Sequence, residues 1–271
     1  MLLTEQTSAR TTDRLAELGL RPDRPNAWSG EDLHLSIDGG WLRFSTARSS
    51  TAASAGLDSP GLWKPSAVGG RVFEVPLDAI LRRIDDTGLH DQIDQVDPEF
   101  DDDQGDHPEV AMIAMLSTWA VQTLDGNGRK GWAPPAVERL NELIPPAALS
   151  FRSDALLEPC TLVSLEHTLR LQVCLGRIDP ALSDVRRGWV DRVVADARRL
   201  RLVRVERRGS GDAPAMIEAT VDLTGAPAAI GEAMLPLAVD ALRHCFEFLA
   251  LTATIVGDAQ CASRVLDTVT S

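Results

Sequence analysis

Arg201-Leu202-Val203-Arg204-Val205-Glu206-Arg207-Arg208, the turn Gly209-Ser210-Gly211-Asp212, and Met216-Ile217-Glu218-Ala219-Thr220-Val221-Asp222-Leu223 decide the fold class of this chain. Two strand-like runs, Leu202 to Arg208 and Met216 to Leu223, flank a glycine-rich turn, the pattern of paired β-strands. Upstream, Asp184 to Leu200 repeats apolar residues at Val185, Trp189, Val190, Val193, Val194 and Ala197, which predicts a helix with one buried stripe. Before that helix, Leu156 to Glu166 and Leu169 to Ile178 read as strands, the second placing Leu169, Leu171, Val173 and Leu175 on one face. Ala136 to Ile144, between two Pro-Pro pairs, reads as a helix. Downstream, Ala228 to about Val256 is a long helical pattern, bent near Pro236 and capped by Gly257-Asp258. The order α-β-β-α-β-β-α makes this half α+β.

The first half has a related but shorter reading. Thr11 to Glu17 predicts a short helix with Leu15 and Leu18 on its apolar side. Leu33 to Ile37 and Trp41 to Thr46 alternate across Asp38-Gly39-Gly40, a hairpin signal. Ser49 to Gly61 reads as a loop, Arg71 to Val75 as a third strand and Pro76 to Ile84 as a helix. Pro108 to Leu124 is apolar on most sides, through Val110, Ile113, Met115, Leu116, Trp119 and Val121, and predicts a buried helix. Three glycines and two prolines between Gly126 and Pro135 mark a boundary. The expectation is two α/β-layered halves, 1–130 and 131–271, each a small antiparallel sheet packed with helices. By element order alone the first resembles the second with its last two strands missing, as a degenerate duplication would leave it.

A chain of 271 residues can bury roughly 73% of its unfolded surface, so neither disulfide nor metal staples are required. The formal charge is −13, from 27 basic and 40 acidic residues. That balance disfavours nucleic acid and anionic membranes as partners and favours a protein. Eleven of the acids fall within 85–109, a block without lysine or arginine that reads as a solvated loop. No apolar run is long enough to span a bilayer, and residues 1–10 lack a basic start followed by an apolar stretch, so a cytoplasmic location is expected. Cys160, Cys174, Cys245 and Cys261 show no CxxC spacing and read as buried reduced thiols, which suits a reducing compartment.

The motifs that carry chemistry fail on spacing. In the acidic run a calcium loop starting at Glu99 would need glycine where Gln104 stands, and one starting at Asp101 would put Gly105 at a ligand position. Gly126, Gly128 and Gly131 satisfy GxGxxG but follow a helix and run into Trp132-Ala133-Pro134-Pro135, the wrong context for a dinucleotide site. No serine sits in a GxSxG elbow. His244 and Cys245, adjacent on a helix, point about 100° apart. No catalytic residue, cofactor or metal ligand is assigned. An enzyme would use Glu166, His167 or the acidic loop between the halves. A phosphate or nucleic-acid binder would use the arginine-rich segment Arg186 to Arg208, whose heads otherwise pair with acids elsewhere.

The stretches 201–206, 219–224 and the closing helix Met234 to Val256 resemble the small α+β fold of type III secretion chaperones and the related YbjN-like proteins, a likeness covering about 136–266. The resemblance implies a non-enzymatic chaperone or adaptor that is acidic and cytoplasmic, holding a partner protein on apolar patches. It also implies a dimer, either a homodimer or a pseudo-dimer formed by the two halves. Trp41 on the hairpin, with Trp189 and Val193 on the amphipathic helix, are the candidate partner-binding residues.

Overall fold

A computed structural model describes residues 3–46, 61–66, 69–87, 107–124, 140, 142, 144, 161–165, 168–174, 183–208 and 216–256. Among these the chain is α+β, with two antiparallel sheets and five helices. It divides into two compact units, one formed by 1–132 with 223–234 and the other by 133–222 with 235–271.

The first unit opens with helix α1, Glu5–Ala16. Thr4 caps it, its hydroxyl accepting from the Thr7 amide at 3.2 Å. The helix starts six residues before the apolar repeat does because its buried positions are Thr7 and Thr11 as well as Leu15. Thr11 satisfies its hydroxyl on the Thr7 carbonyl at 2.7 Å. Six strands follow: β1 Arg21–Arg24, β2 Ala27–Ser29, β3 Leu33–Asp38, β4 Trp41–Thr46, β5 Lys64–Pro65 and β6 Arg71–Val75, in the order β1-β2-β3-β4-β6-β5. The sequence predicts three strands in this half, over 33–37, 41–46 and 71–75, and the structure adds β1, β2 and β5. β5 pairs with β6 to complete a second hairpin, and β1 and β2 extend the sheet beyond β3.

The β3–β4 turn holds Gly39 and Gly40 at φ +54° and +80°, the geometry that favours glycine. A Cβ on Gly40 would also stand 2.8 Å from the Asp78 carboxyl carbon. The inner face aligns Trp28 with Leu35, Ile37 with Leu42 and Val75, and Leu35 with Phe44 and Phe73. Helices α2, Leu77–Thr87, and α3, Pro108–Leu124, belong to the same unit. Phe73 is the centre of an aromatic cluster, its ring 5.0 Å from Trp119, 5.5 Å from Trp63 and 5.8 Å from Phe44. The Trp63 indole N–H donates to the Ala120 carbonyl and the Thr123 hydroxyl, each at 3.1 Å, so the cluster leaves no buried indole donor unmet there.

The second unit holds β7 Thr161–Leu165, β8 Thr168–Cys174, helix α4 Ser183–Ala197, β9 Arg204–Arg208 and β10 Met216–Asp222, with sheet order β7-β8-β10-β9. Leu169, Leu171 and Val173 face Val221, Ala219 and Ile217 across β8–β10, and all six are buried. β9 begins two residues later than the apolar pattern does, because Leu202 adopts φ +66° in the turn after α4. Helix α5, Ala228–Val256, carries Pro236 inside it; its first turns, to Met234, count with the first unit. Of the acidic block, Asp85 and Asp86 lie in α2 and Glu109 opens α3, while 88–106 lie outside the described residues. The helix expected over 136–144 and the boundary at 126–135 also lie outside them, apart from Leu140, Glu142 and Ile144. Leu140 and Ile144 are buried and joined by one helical backbone bond of 2.8 Å.

Candidate functional site

The first unit contains a half-open groove of about 320 Å³. One long wall is α3, which contributes Ala111, Ala114, Met115, Thr118, Trp119 and Gln122. These positions run i, i+3, i+4, i+7, i+8, i+11, one continuous face of a helix spanning about 16 Å. The facing edge is the end of α1, with Arg14, Glu17 and Leu18, and Gly225 and Pro227 supply the remaining wall.

The floor is held rigidly. Trp119 is 1% exposed, and its indole N–H donates to the Thr224 carbonyl at 2.7 Å. Gly225, at φ +75°, lets the turn approach: a Cβ there would stand 3.3 Å from the Thr123 methyl and 3.5 Å from the indole ring. Thr118 is exposed, and its hydroxyl returns to the Ala114 carbonyl at 3.0 Å, so that polar group is already satisfied. Ala114 and Met115 are half-buried. Among the described lining residues formal charge comes from the α1 edge, as Arg14 and Glu17, one helical turn apart. The groove is an apolar trough with one ionic edge, a form suited to holding apolar groups of another molecule.

The residues expected to contact a partner lie elsewhere. Trp41 is half-buried at the start of β4, paired with Asp38 across the hairpin. Val193 is 4% exposed, a core residue of the second unit. Trp189 lies in α4, and its side chain is outside the described residues. The pair Glu166-His167 is also outside them. Within the arginine-rich segment Arg207 pairs with Asp191 of α4 at 3.1 Å, so one of its heads is met by an acid of the same segment, while Arg192, Arg198, Arg199 and Arg201 are exposed. His244 is exposed, its Nδ1 2.8 Å from the Asp240 carbonyl, whereas neighbouring Cys245 is buried. Burial pushes the Cys245 thiol up to about 12, so near neutrality it is a protonated and inert packing residue.

The groove is hidden in the sequence because α3 is apolar on most sides, a pattern that predicts burial throughout. Met115 and Val121, counted among its core residues, are in fact half-buried. The available signal was the run of smaller residues Ala111, Ala114 and Thr118 along one face, beside the bulky Val110, Ile113 and Leu116 that fill the core.

Among the described residues no three His, Cys, Asp or Glu side chains gather as a metal site, and no helix is long and apolar enough to cross a membrane. No family model matches the sequence, and no curated protein matches it.

Proposed function

We propose that the protein is a non-enzymatic chaperone or adaptor of a bacterial cytoplasm that holds a partner protein. The observation that carries this reading is the groove along α3: a half-open trough floored by Ala114, Met115 and Trp119, whose polar groups sit at the rim. Partially exposed apolar side chains bounded by polar residues can seat the apolar anchors of a partner protein. Methionine adds adaptability, since its unbranched thioether repacks against different side chains. The net charge of −13 suits such a carrier, because mutual repulsion keeps copies apart while apolar surface stays open. The repeated strand order, β3-β4-β6-β5 in one unit and β7-β8-β10-β9 in the other, supports reading the two halves as related modules.

A photoreactive amino acid placed at Met115 tests the reading in the native host. A discrete set of polypeptides should be crosslinked, and a Thr118→Arg change in the same chain should remove them. Crosslinks that survive Thr118→Arg unchanged, or none beyond those given by the probe at exposed Arg192, would overturn it.

A further inference from the structure

We infer that the segment received by the groove is an amphipathic helix bearing two apolar anchors about one turn apart and a basic residue beside them. This rests on the protein-binding reading and specifies the partner's chemistry.

Three observations point to a helix rather than an extended strand. The α3 wall is a helical seam, i to i+11, buried at Ala111 and Trp119 and open at Ala114, Met115, Thr118 and Gln122, a spacing that suits contact with another helix. Along it Ala111, Ala114 and Thr118 are small, which lets a second helix axis come close beside Met115 and Gln122, within the usual 8–10 Å spacing. An extended segment would draw affinity from main-chain hydrogen bonds to a free strand edge, and among the described residues no strand lines the groove. A helix satisfies its own backbone and needs only side-chain contact, which α1, α3 and the Gly225–Pro227 turn supply.

Size sets the number of anchors. The groove holds about 320 Å³, roughly twice the ~150 Å³ that accommodates a benzene ring, so two leucine- or phenylalanine-sized groups fill it. Two such side chains at i and i+4 lie on one face of the incoming helix. Charge sets the flank. Glu17 is exposed at the rim and Arg14, one turn before it, is half-buried, so the edge is locally neutral and a lysine or arginine is favoured only at its Glu17 end, with the long-range field of a protein of charge −13 adding to it.

The test uses fluorescein-labelled, end-capped peptides of roughly fourteen residues, about four turns. They carry Leu, Met or Phe at two positions four apart and lysines at the flank, and are titrated with the full chain by anisotropy. At least one should bind, and a central proline in that peptide should weaken it about tenfold or more by breaking the helix. Thr118→Arg, which puts a good helix former at an exposed helical position, should weaken it by a similar factor. Glu17→Arg should weaken the lysine-flanked peptide several-fold and restore binding of its glutamate-flanked counterpart. The inference is overturned if no peptide in the set binds, if the proline variant binds equally well, or if Thr118→Arg changes nothing. The protein-binding reading fails separately, through the Met115 crosslinks: a partner captured there through a non-helical segment keeps that reading and removes this one.

Discussion

The two sheets share a strand order and differ in how they treat a buried acid. In both, the last strand of the second hairpin joins the last strand of the first: β6 beside β4, and β10 beside β8. In both, that strand carries a glutamate on the face away from the main apolar row: Glu74, 8% exposed, and Glu218, 5% exposed. Glu74 stands between cations on its two neighbouring strands, with Lys64 Nζ at 3.2 Å and Arg43 Nε at 3.8 Å. Glu218 has Arg170 Nε at 3.1 Å on one side, but on the other its register partner is Glu206, with an Oε1 buried and unbonded. The same backbone plan thus carries a well-neutralised acid in one unit and a partly opposed one in the other. Strand order is set by the apolar rows and leaves the polar face free to diverge.

The largest expected effect separates the units by pH. All four cysteines fall in the second unit, and the Cys245 thiol is raised by burial from 9.0 to about 12. A raised thiol pKa means that the folded state keeps a proton the unfolded state releases. Its contribution is therefore complete below pH 9 and is lost as pH climbs from 9 toward 12, amounting to on the order of 4 kcal/mol at the upper end. The chain lacks tyrosine, so the other side chains with ordinary values near that window are two lysines and the three remaining cysteines. Hydrogen exchange at pH 10 to 11 should show the second unit opening before the first, and Cys245→Ala should flatten that dependence. Equal loss of protection in both units would break the comparison.

Next in size is Glu74→Gln, which takes from Lys64, itself 8% exposed, the carboxylate at 3.2 Å. Removing one member of a buried ion pair costs about 3 kcal/mol, visible as a lower urea midpoint with the slope unchanged. A cost below about 1 kcal/mol would show that Glu74 is no better neutralised than Glu218. The smallest effect has the opposite sign. Glu206→Gln removes a like charge directly across from Glu218 and should stabilise the second unit by about 0.5 kcal/mol in the same titration. Destabilisation would mean that Glu206 carries a favourable contact that outweighs the repulsion.

What the sequence made legible follows the same division between apolar rows and polar positions. β8, β10, α3 and α5 were readable because buried residues there are apolar at the right period, as in Leu169, Leu171 and Val173. β1 was not, since Arg21-Pro22-Asp23-Arg24 is exposed at all four positions and lies at a sheet edge, where no burial pattern is imposed. β5 is two residues long, one a buried lysine and the other a proline, and pairing with β6 alone makes it a strand. The early turns of α1 were hidden because threonines fill buried sites by bonding back to the helix carbonyls. The groove stayed hidden for a related reason. An apolar helix face reads the same whether it meets a core or an opening, and one of its walls comes from Gly225 and Pro227, more than a hundred residues after Trp119.

That distant wall imposes an order of events on synthesis. The first unit's aromatic cluster and α3 have left the ribosome once Trp132 emerges, yet Thr224, which accepts the Trp119 indole bond, follows roughly 90 residues later. At about 5–20 residues per second the nascent chain waits roughly 5 to 20 seconds with the Trp119 end of the trough unsealed. During that interval the whole second sheet is translated, so the first unit stays incomplete until after the second sheet has been made, and the second unit in turn waits for 235–271.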